Sequence, residues 1–278
     1  MMSAIAPHMP TTRLPLRLRR ITSRNNDLLR DLRRTLADGG AQGELVAIEG
    51  VRMIEEAIRS GLKVRAIFFR EPEDALAERL MGQIGGKAEA VTVPAQLFNQ
   101  TVLTENPQGV AALVSPRKSS LEEMLAPPQP LIVALAGIQD PGNAGTLLRS
   151  AEAFGASGAL LLEGTVNAYN PKVVRAAAGS LFRLPVLAKT FAELLPKLRE
   201  KQARFVAGSS HKGTPLSTAD LKGAICLLIG NEGAGVPRPI MSEVDEVVAI
   251  PHSSKVESLN AAVAGSLMMY EAMKQRTQ

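Results

Sequence analysis

The chain has 278 residues, one cysteine, three histidines and a formal net charge of +5. That length exceeds what one small core organises and fits two domains of ordinary size. Cys226 alone excludes a disulfide framework and a cysteine zinc site, and His8, His211 and His252 lack paired ligand spacing, so no metal is expected.

The charge is unevenly placed. Residues 1–38 hold eight arginines and three aspartates, and the remaining 24 basic and 24 acidic residues cancel. A basic end on a balanced body is an electrostatic handle for a polyanion, nucleic acid first, or else a solvated tail. The opening MMSAIAPHMPTTRLPLRLRR shares the acid-free Ser, Thr and Arg content of organellar transit peptides but lacks the continuous apolar segment of a secretory signal. The expectation is a cytoplasmic protein, with an organelle as the lesser alternative, and a basic, disordered tail over 1–19. No membrane partner is expected, because LIVALAG (131–137) and ALLLEG (159–164) fall well short of the about 20 apolar residues that cross a bilayer.

From residue 26 the pattern alternates between helix and strand periods. NNDLLRDLRRTLADGG places Leu28, Leu29, Leu32 and Leu36 on one helical face, with Gly39 as the stop. ELVAIEG reads as a buried strand, VRMIEEAIRSG as a helix closed by Gly61, and KVRAIFFR as a second strand. PEDALAERLMGQIGG opens on a proline suited to a first helical turn, and AEAVTVP, AQLFNQTVLT and GVAALVS continue as strand, helix and strand. These elements predict a small α/β domain over 20–115.

PRKSSLEEMLAPPQP (116–130) then breaks the alternation with four prolines, the composition of a linker. The second domain, 131–278, carries strand patterns at 131–137, 159–164, 185–188, 204–209, 224–230 and 247–250. Helical patterns at 143–156, 171–183, 191–202 and 258–275 separate most of them. Near-continuous apolar strands between helices imply a parallel sheet covered on both faces.

In such a sheet a ligand sits beyond the carboxyl ends of the strands, and three strand-to-loop junctions are unusual. In AGIQDPGNAGTLLRSAEAFG (136–155), Asn143 is placed to cap a helix. Arg149 follows six residues later, where the helix would normally face its sheet. Each residue also has a plain structural reading, as a cap and as a surface arginine. LLIGNEGAGVPRPI (227–240) puts glycines at 230, 233 and 235, which either bring backbone close to a ligand or permit positive φ. The spacing is neither the dinucleotide GxGxxG nor a phosphate loop. VAIPHSSKVESLNAAVAGSLMMYEAM (248–273) runs from strand through Pro251 to Ser258, Asn260 and a helix of small residues, suited to core packing or to a partner subunit.

Taken in order, NAGTLLR, IGNEGAGV and IPHSSKVESLNAAVA resemble the signature motifs of the SpoU (TrmH) family of RNA ribose 2'-O-methyltransferases, in the SPOUT superfamily. ITSRNNDLLRDLRR, AIEGVRMIEEAIRSG and ENPQGVAALV look like that family's RNA-recognition domain, so the resemblance covers the chain from about residue 20. It implies an α/β fold in which a small N-terminal RNA-recognition domain precedes a parallel-sheet domain with a trefoil knot. It further implies S-adenosylmethionine bent within the knot and an active site at a homodimer interface. Gly230, Ile250 and Leu259 match the family's cofactor contacts, largely through backbone. Arg149 matches the catalytic arginine. A guanidinium stays charged at ordinary pH, so its expected role is to clamp phosphate and stabilise developing alkoxide rather than to act as base. Asn143, Glu232, Ser258 and Asn260 are expected to position groups around it, with Glu232 alternatively ordering its loop or the dimer contact. Ala262 departs from the family pattern, standing where SLNVSVA-type sequences carry serine.

The resulting expectation is an S-adenosylmethionine-dependent RNA 2'-O-methyltransferase acting on ribosomal RNA or else transfer RNA. A non-catalytic RNA-binding or ribosome-assembly factor on the same scaffold is the alternative. A nicotinamide-dependent Rossmann enzyme, suggested by the α/β alternation alone, is disfavoured by the missing GxGxxG.

Overall fold

In the computed structural model, which describes residues 18–277 apart from 41–43, 73, 85–87, 211, 232 and 254, local signals set the first elements. After β1 (Arg19–Arg20), the Asn26 side chain accepts the Leu28 N–H at 3.1 Å and starts α1 (Asp27–Asp38). Leu29, Leu32 and Leu36 face the core, and Gly39, at φ 70°, ends the helix. The chain continues through β2 (Val46–Glu49), α2 (Val51–Arg59), β3 (Val64–Arg70), α3 (Asp74–Ile84), β4 (Glu89–Val93), α4 (Ala95–Asn99) and β5 (Val110–Val114). These five strands form one mixed sheet of order β1-β4-β3-β5-β2, antiparallel at the β3–β5 and β5–β2 pairings.

Two expectations need amending here. Arg19 is not tail but strand, paired with Val91, while residues 1–17 of the expected tail lie outside the described residues. The helix expected over 95–104 stops at Asn99. The Glu49 carboxylate holds the following loop, accepting from Leu103 N–H (3.3 Å) and Thr104 Oγ1 (2.6 Å).

The second unit comprises α5 (Leu121–Met124), β6 (Leu131–Ala136), α6 (Pro141–Ala153), β7 (Gly158–Leu161), α7 (Pro171–Ala177), β8 (Val186–Ala188) and α8 (Phe191–Glu200). β9 (Arg204–Ser209), β10 (Thr214–Pro215), β11 (Ile225–Gly230), α9 (Arg238–Met241), β12 (Glu246–Ala249) and α10 (Ala261–Arg276) complete it. All seven strands are parallel, in the order β10-β12-β9-β11-β6-β7-β8. The unbroken apolar strands follow from this: in β6, Leu131, Val133 and Leu135 enter one buried cluster and Ile132, Ala134 and Ala136 another, so neither face meets water. The helix expected over 171–183 breaks at Ala178, whose φ is 49°, and that expected from 258 begins only after its cap at Asn260.

The connector is docked rather than loose. Leu121 and Met124 of α5 are buried in the second cluster, and the first cluster runs from Val46, Ile48 and Ile54 into Leu131 and Val133, joining both units in one apolar core. At this junction Arg183 donates to both oxygens of Glu152 on α6 (2.5 and 3.0 Å), to Ser60 Oγ (3.1 Å) and to Glu56 on α2. Burial pushes the Glu152 carboxyl up, but hydrogen bonds from Arg183 and Ser180 and the Arg183 charge outweigh it and hold the group below its usual value. The chain's end is tied as well: Arg276 donates to the carbonyls of Leu221 (3.1 Å), Gln129 (2.9 Å) and Gly223 (2.5 Å).

Two outcomes follow for stability. Arg276→Ala strips three carbonyls of one charged donor and is expected to cost about 2–3 kcal/mol in urea unfolding; a loss under about 0.5 kcal/mol would assign the contacts no weight. A depressed carboxyl stabilises the fold above its unfolded value of about 4.3 and stops doing so as pH falls through its lower folded value. Arg183→Met should therefore lower Tm near neutrality and flatten its fall below about pH 5. An acid limb identical to that of the unaltered chain would refute the coupling.

Candidate active site

The carboxyl ends of β6, β11 and β12 lie at one edge of the parallel sheet, and the loops that leave them carry Asp140, Asn231 and Asn260. After β6, the Asp140 carboxylate accepts the Asn143 N–H at 2.7 Å and Pro141 fills the first helical turn, so Asp140, not Asn143, caps α6. This frees the Asn143 amide to face elsewhere: its Oδ1 accepts from Asn260 Nδ2 at 3.0 Å. Asn260 Oδ1 in turn accepts the N–H groups of Ala262 (3.0 Å) and Val263 (3.2 Å), capping α10. One side chain thus fixes the start of α10 and links it to the start of α6.

The glycine loop after β11 closes on itself. Asn231 and Gly235 exchange two backbone hydrogen bonds (3.1 and 2.9 Å), and Asn231 Oδ1 accepts from Gly233 N–H (2.9 Å) and Ala234 N–H (3.3 Å). Asn231 Nδ2 reaches across to the Gly137 carbonyl at 3.2 Å, joining this loop to the one after β6. Thr165 holds the other side of Gly137, its Oγ1 accepting from Gly137 N–H (3.0 Å) and Ile138 N–H (3.3 Å) while donating to Leu135 O (2.8 Å). Gly230 has a steric reason: a Cβ there would sit 2.2 Å from Gly235 C and 2.3 Å from Val236 N. Of the two readings a glycine-rich loop admits, tight backbone approach is the one realised at Gly230, and the backbone approached belongs to the loop itself.

A cavity of about 570 Å³ lies among the loops after β9, β11 and β12. Gly230, Ile250, Ser258 and Leu259 are among its walls, so four of the expected site residues share one cleft, with Asn143 attached to it through Asn260. His252 Nδ1 bonds the Ile250 carbonyl at 2.7 Å and shapes the turn after β12. Arg149 departs from expectation. It is exposed, while Ala144, Leu147, Leu148 and Ala151 are the residues α6 buries. Glu232 lies outside the described residues. Sequence reasoning missed Asp140, Thr165 and Asn231 as the residues that shape the loops, although Asp-Pro-Gly is a helix-start signal and an Asn before glycines is a turn signal.

Comparison with known proteins decides the family. A model of the SpoU rRNA methylase family matches residues 130–270, and one of an MRM3-like substrate binding domain matches 41–112. The chain belongs to the SpoU rRNA methylase family. An uncharacterized tRNA/rRNA methyltransferase of Synechocystis is 32% identical over 92% of this chain and 94% of that protein. The 23S rRNA (guanosine(2553)-2'-O)-methyltransferase RlmP of Bacillus subtilis is 30% identical over 80% of this chain and 86% of its own. The AdoMet-bound rRNA methyltransferase of Sinorhizobium meliloti superposes with a TM-score of 0.82 at 27% identity, covering 92% of this chain and 98% of that one. AviRb of Streptomyces viridochromogenes, a SpoU methyltransferase solved in complex with AdoMet, gives a TM-score of 0.83 at 26% identity, over 91% and 99%.

The cleft of this SpoU-family chain fits such a cofactor on its own terms. Its volume falls within the roughly 300–1,000 Å³ typical of small-molecule sites. Its walls are mostly glycine, main chain and apolar side chains such as Ile229, Val236 and Met268, which suit a flat, uncharged nucleoside. Gly230→Ala should force the loop open and weaken S-adenosylhomocysteine binding by about tenfold or more in calorimetry with the fold retained. A Cβ at Gly233 meets its nearest atom at an ordinary 3.6 Å, so Gly233→Ala is expected to stay within about twofold. Equal effects of the two changes would contradict the steric account.

Proposed function

We propose that this SpoU-family chain methylates a ribose 2'-hydroxyl of RNA, ribosomal RNA first and transfer RNA second, with S-adenosylmethionine as donor. The observation that carries the reading is the shared cleft: Gly230, Ile250, Ser258 and Leu259 around one cavity, with Asn260 bonded to Asn143 beside it. S-adenosylmethionine, when bound, supplies a methyl carbon already activated by its sulfonium, so alignment is much of what the protein must add. Ile250 and Leu259 offer main-chain groups to the nucleoside, since the N–H groups of Asn231, Gly233, Ala234 and Gly235 are engaged within their own loop. Asn143, Ser258 and Asn260 orient the hydroxyl, and Glu232 is assigned either to the same task or to ordering its loop or the dimer contact. Arg149 clamps the neighbouring phosphate and stabilises oxygen charge as the hydroxyl proton leaves to phosphate or water. The 20–115 domain selects the RNA and 131–278 performs the chemistry, in the cytoplasm, the C-terminal segment passing through a trefoil knot.

The placement of Arg149 favours a homodimer. Six residues separate it from Asn143, about 9 Å along α6 and roughly 120° around it, and it stands outside the walls of its own cleft. A second copy brings such an arginine to the acceptor. α10 packs along α6, with Ser150 and Ser266 sharing a 2.7 Å hydrogen bond, and Gly265 lets the helices close because a Cβ there would lie 2.4 Å from Leu147. The outer side of α10 leaves Val263, Leu267 and Tyr270 exposed by 50, 40 and 47%, an i, i+4, i+7 apolar stripe suited to a twin.

Labelled methyl transfer to RNA tests the reaction. Arg149→Ala should reduce it by about a hundredfold or more while leaving S-adenosylhomocysteine affinity within about twofold. Protomers carrying Arg149→Ala and Asn143→Ala should each be inactive alone but, when mixed and exchanged, regain about a quarter of normal activity, because each mixed dimer holds one intact site. A mixture no more active than its components would place both residues in the same protomer's site. Transfer undiminished by Arg149→Ala would remove the arginine from the reaction.

A further inference from the structure

The cleft has one strongly charged feature that neither the signature motifs nor the family's expected contacts assign. Among its described walls Lys212 is the only residue with a formal charge at neutral pH, and it makes no ion pair among the described residues. It stands on the loop after β9, at the rim, exposed.

Its backbone is fixed rather than drifting. The Lys212 N–H donates to Ser209 Oγ at 3.3 Å, closing a short turn. Gly213 follows at φ +130°, so close to β12 that a Cβ would lie 2.3 Å from the Val247 carbonyl. β10 then begins, pairing Thr214 with Val248 and Pro215 with Ala249, and Leu216 N–H donates to Ala249 O at 2.8 Å. The lysine's stem is thereby held in register with the end of β12, where Ile250 enters the same cavity. Asn143 and Arg149, the residues assigned to the acceptor RNA, are not among these walls.

We propose that the Lys212 ammonium anchors the α-carboxylate of the methyl donor and so selects for the amino-acid half of the cofactor. The inference rests on the cofactor reading above. The chemistry leaves one orientation. A sulfonium and an α-ammonium both repel a lysine, whereas the carboxylate is the donor's sole anionic group and forms a charge-assisted hydrogen bond with it. The apolar and main-chain walls hold the nucleoside, and the ammonium at the rim holds the tail, which sets the direction in which the methyl points.

Two ligands separate tail from nucleoside. S-adenosylhomocysteine carries the carboxylate, and 5'-methylthioadenosine retains adenosine and sulfur without the amino acid. In calorimetry Lys212→Met should weaken S-adenosylhomocysteine about tenfold and 5'-methylthioadenosine by less than about twofold. Lys212→Arg should keep most of the discrimination, and added salt should erode it in the unaltered chain but not in Lys212→Met. A preference for S-adenosylhomocysteine unchanged by Lys212→Met, or both ligands weakened alike, overturns the assignment. Unchanged preference with weakened RNA binding does so too, giving the ammonium to an RNA phosphate instead. If the unaltered chain binds neither ligand, the cofactor reading itself fails and takes this assignment with it, an outcome distinct from the others.

Discussion

The 3.0 Å hydrogen bond from Asn260 to Asn143 spans 117 residues of chain, and the geometry of the site depends on it. Asn260 cannot move without losing the cap of α10, and Asn143 cannot move without disturbing the Asp140 cap of α6. Asn231 repeats the device one strand away by tying its own loop to Gly137. Caps and turns of this kind contribute only about 1 kcal/mol each to stability. Their larger effect is positional, because each removes a freedom from a loop that would otherwise vary. The parallel sheet makes this possible by delivering β6, β11 and β12 with their carboxyl ends at one edge.

Much of this was legible in the sequence, and the gaps have physical causes. Doubly buried strands such as β6 and β11 read clearly because burial on two faces demands continuous apolar residues. α1 announced itself through its leucine spacing and the stop at Gly39, whereas the caps Asn26 and Asn260 went unread and α10 was begun too early, at 258. The two-residue β1 and β10 carry too little pattern to read, since each exists only through its partner strand. The linker's prolines masked α5, whose four residues hold their place through burial of Leu121 and Met124 rather than through propensity. At the site, the residues facing the cavity matched known motifs. The capping role of Asp140 was missed because Asn143, whose N–H it accepts, was read as the cap in its place, and the loop-closing role of Asn231 because a side-chain hydrogen bond to the remote Gly137 carbonyl leaves no periodic trace. Arg149 was misplaced because six residues of helix returns it to neither the buried face nor the face of Asn143.

The two units are joined more firmly than a proline-rich linker suggests. A common apolar cluster and the Arg183 bonds to Glu56, Ser60 and Glu152 fix α2 against α6. Since α6 also presents Asn143, an RNA held by the first unit is held at a set distance from the cleft. Rigid placement of this sort does for the RNA what the loop caps do for the small ligand.

Amide hydrogen exchange with and without saturating S-adenosylhomocysteine tests whether the turns after β9, β11 and β12 grip one ligand together. Protection is expected to rise together in the segments around 208–213, 231–236 and 250–261, which follow β9, β11 and β12. The loop 163–169, which lines a separate cavity of about 660 Å³, should be unaffected. Protection confined to one of the three turns, or found chiefly at 163–169, would contradict it.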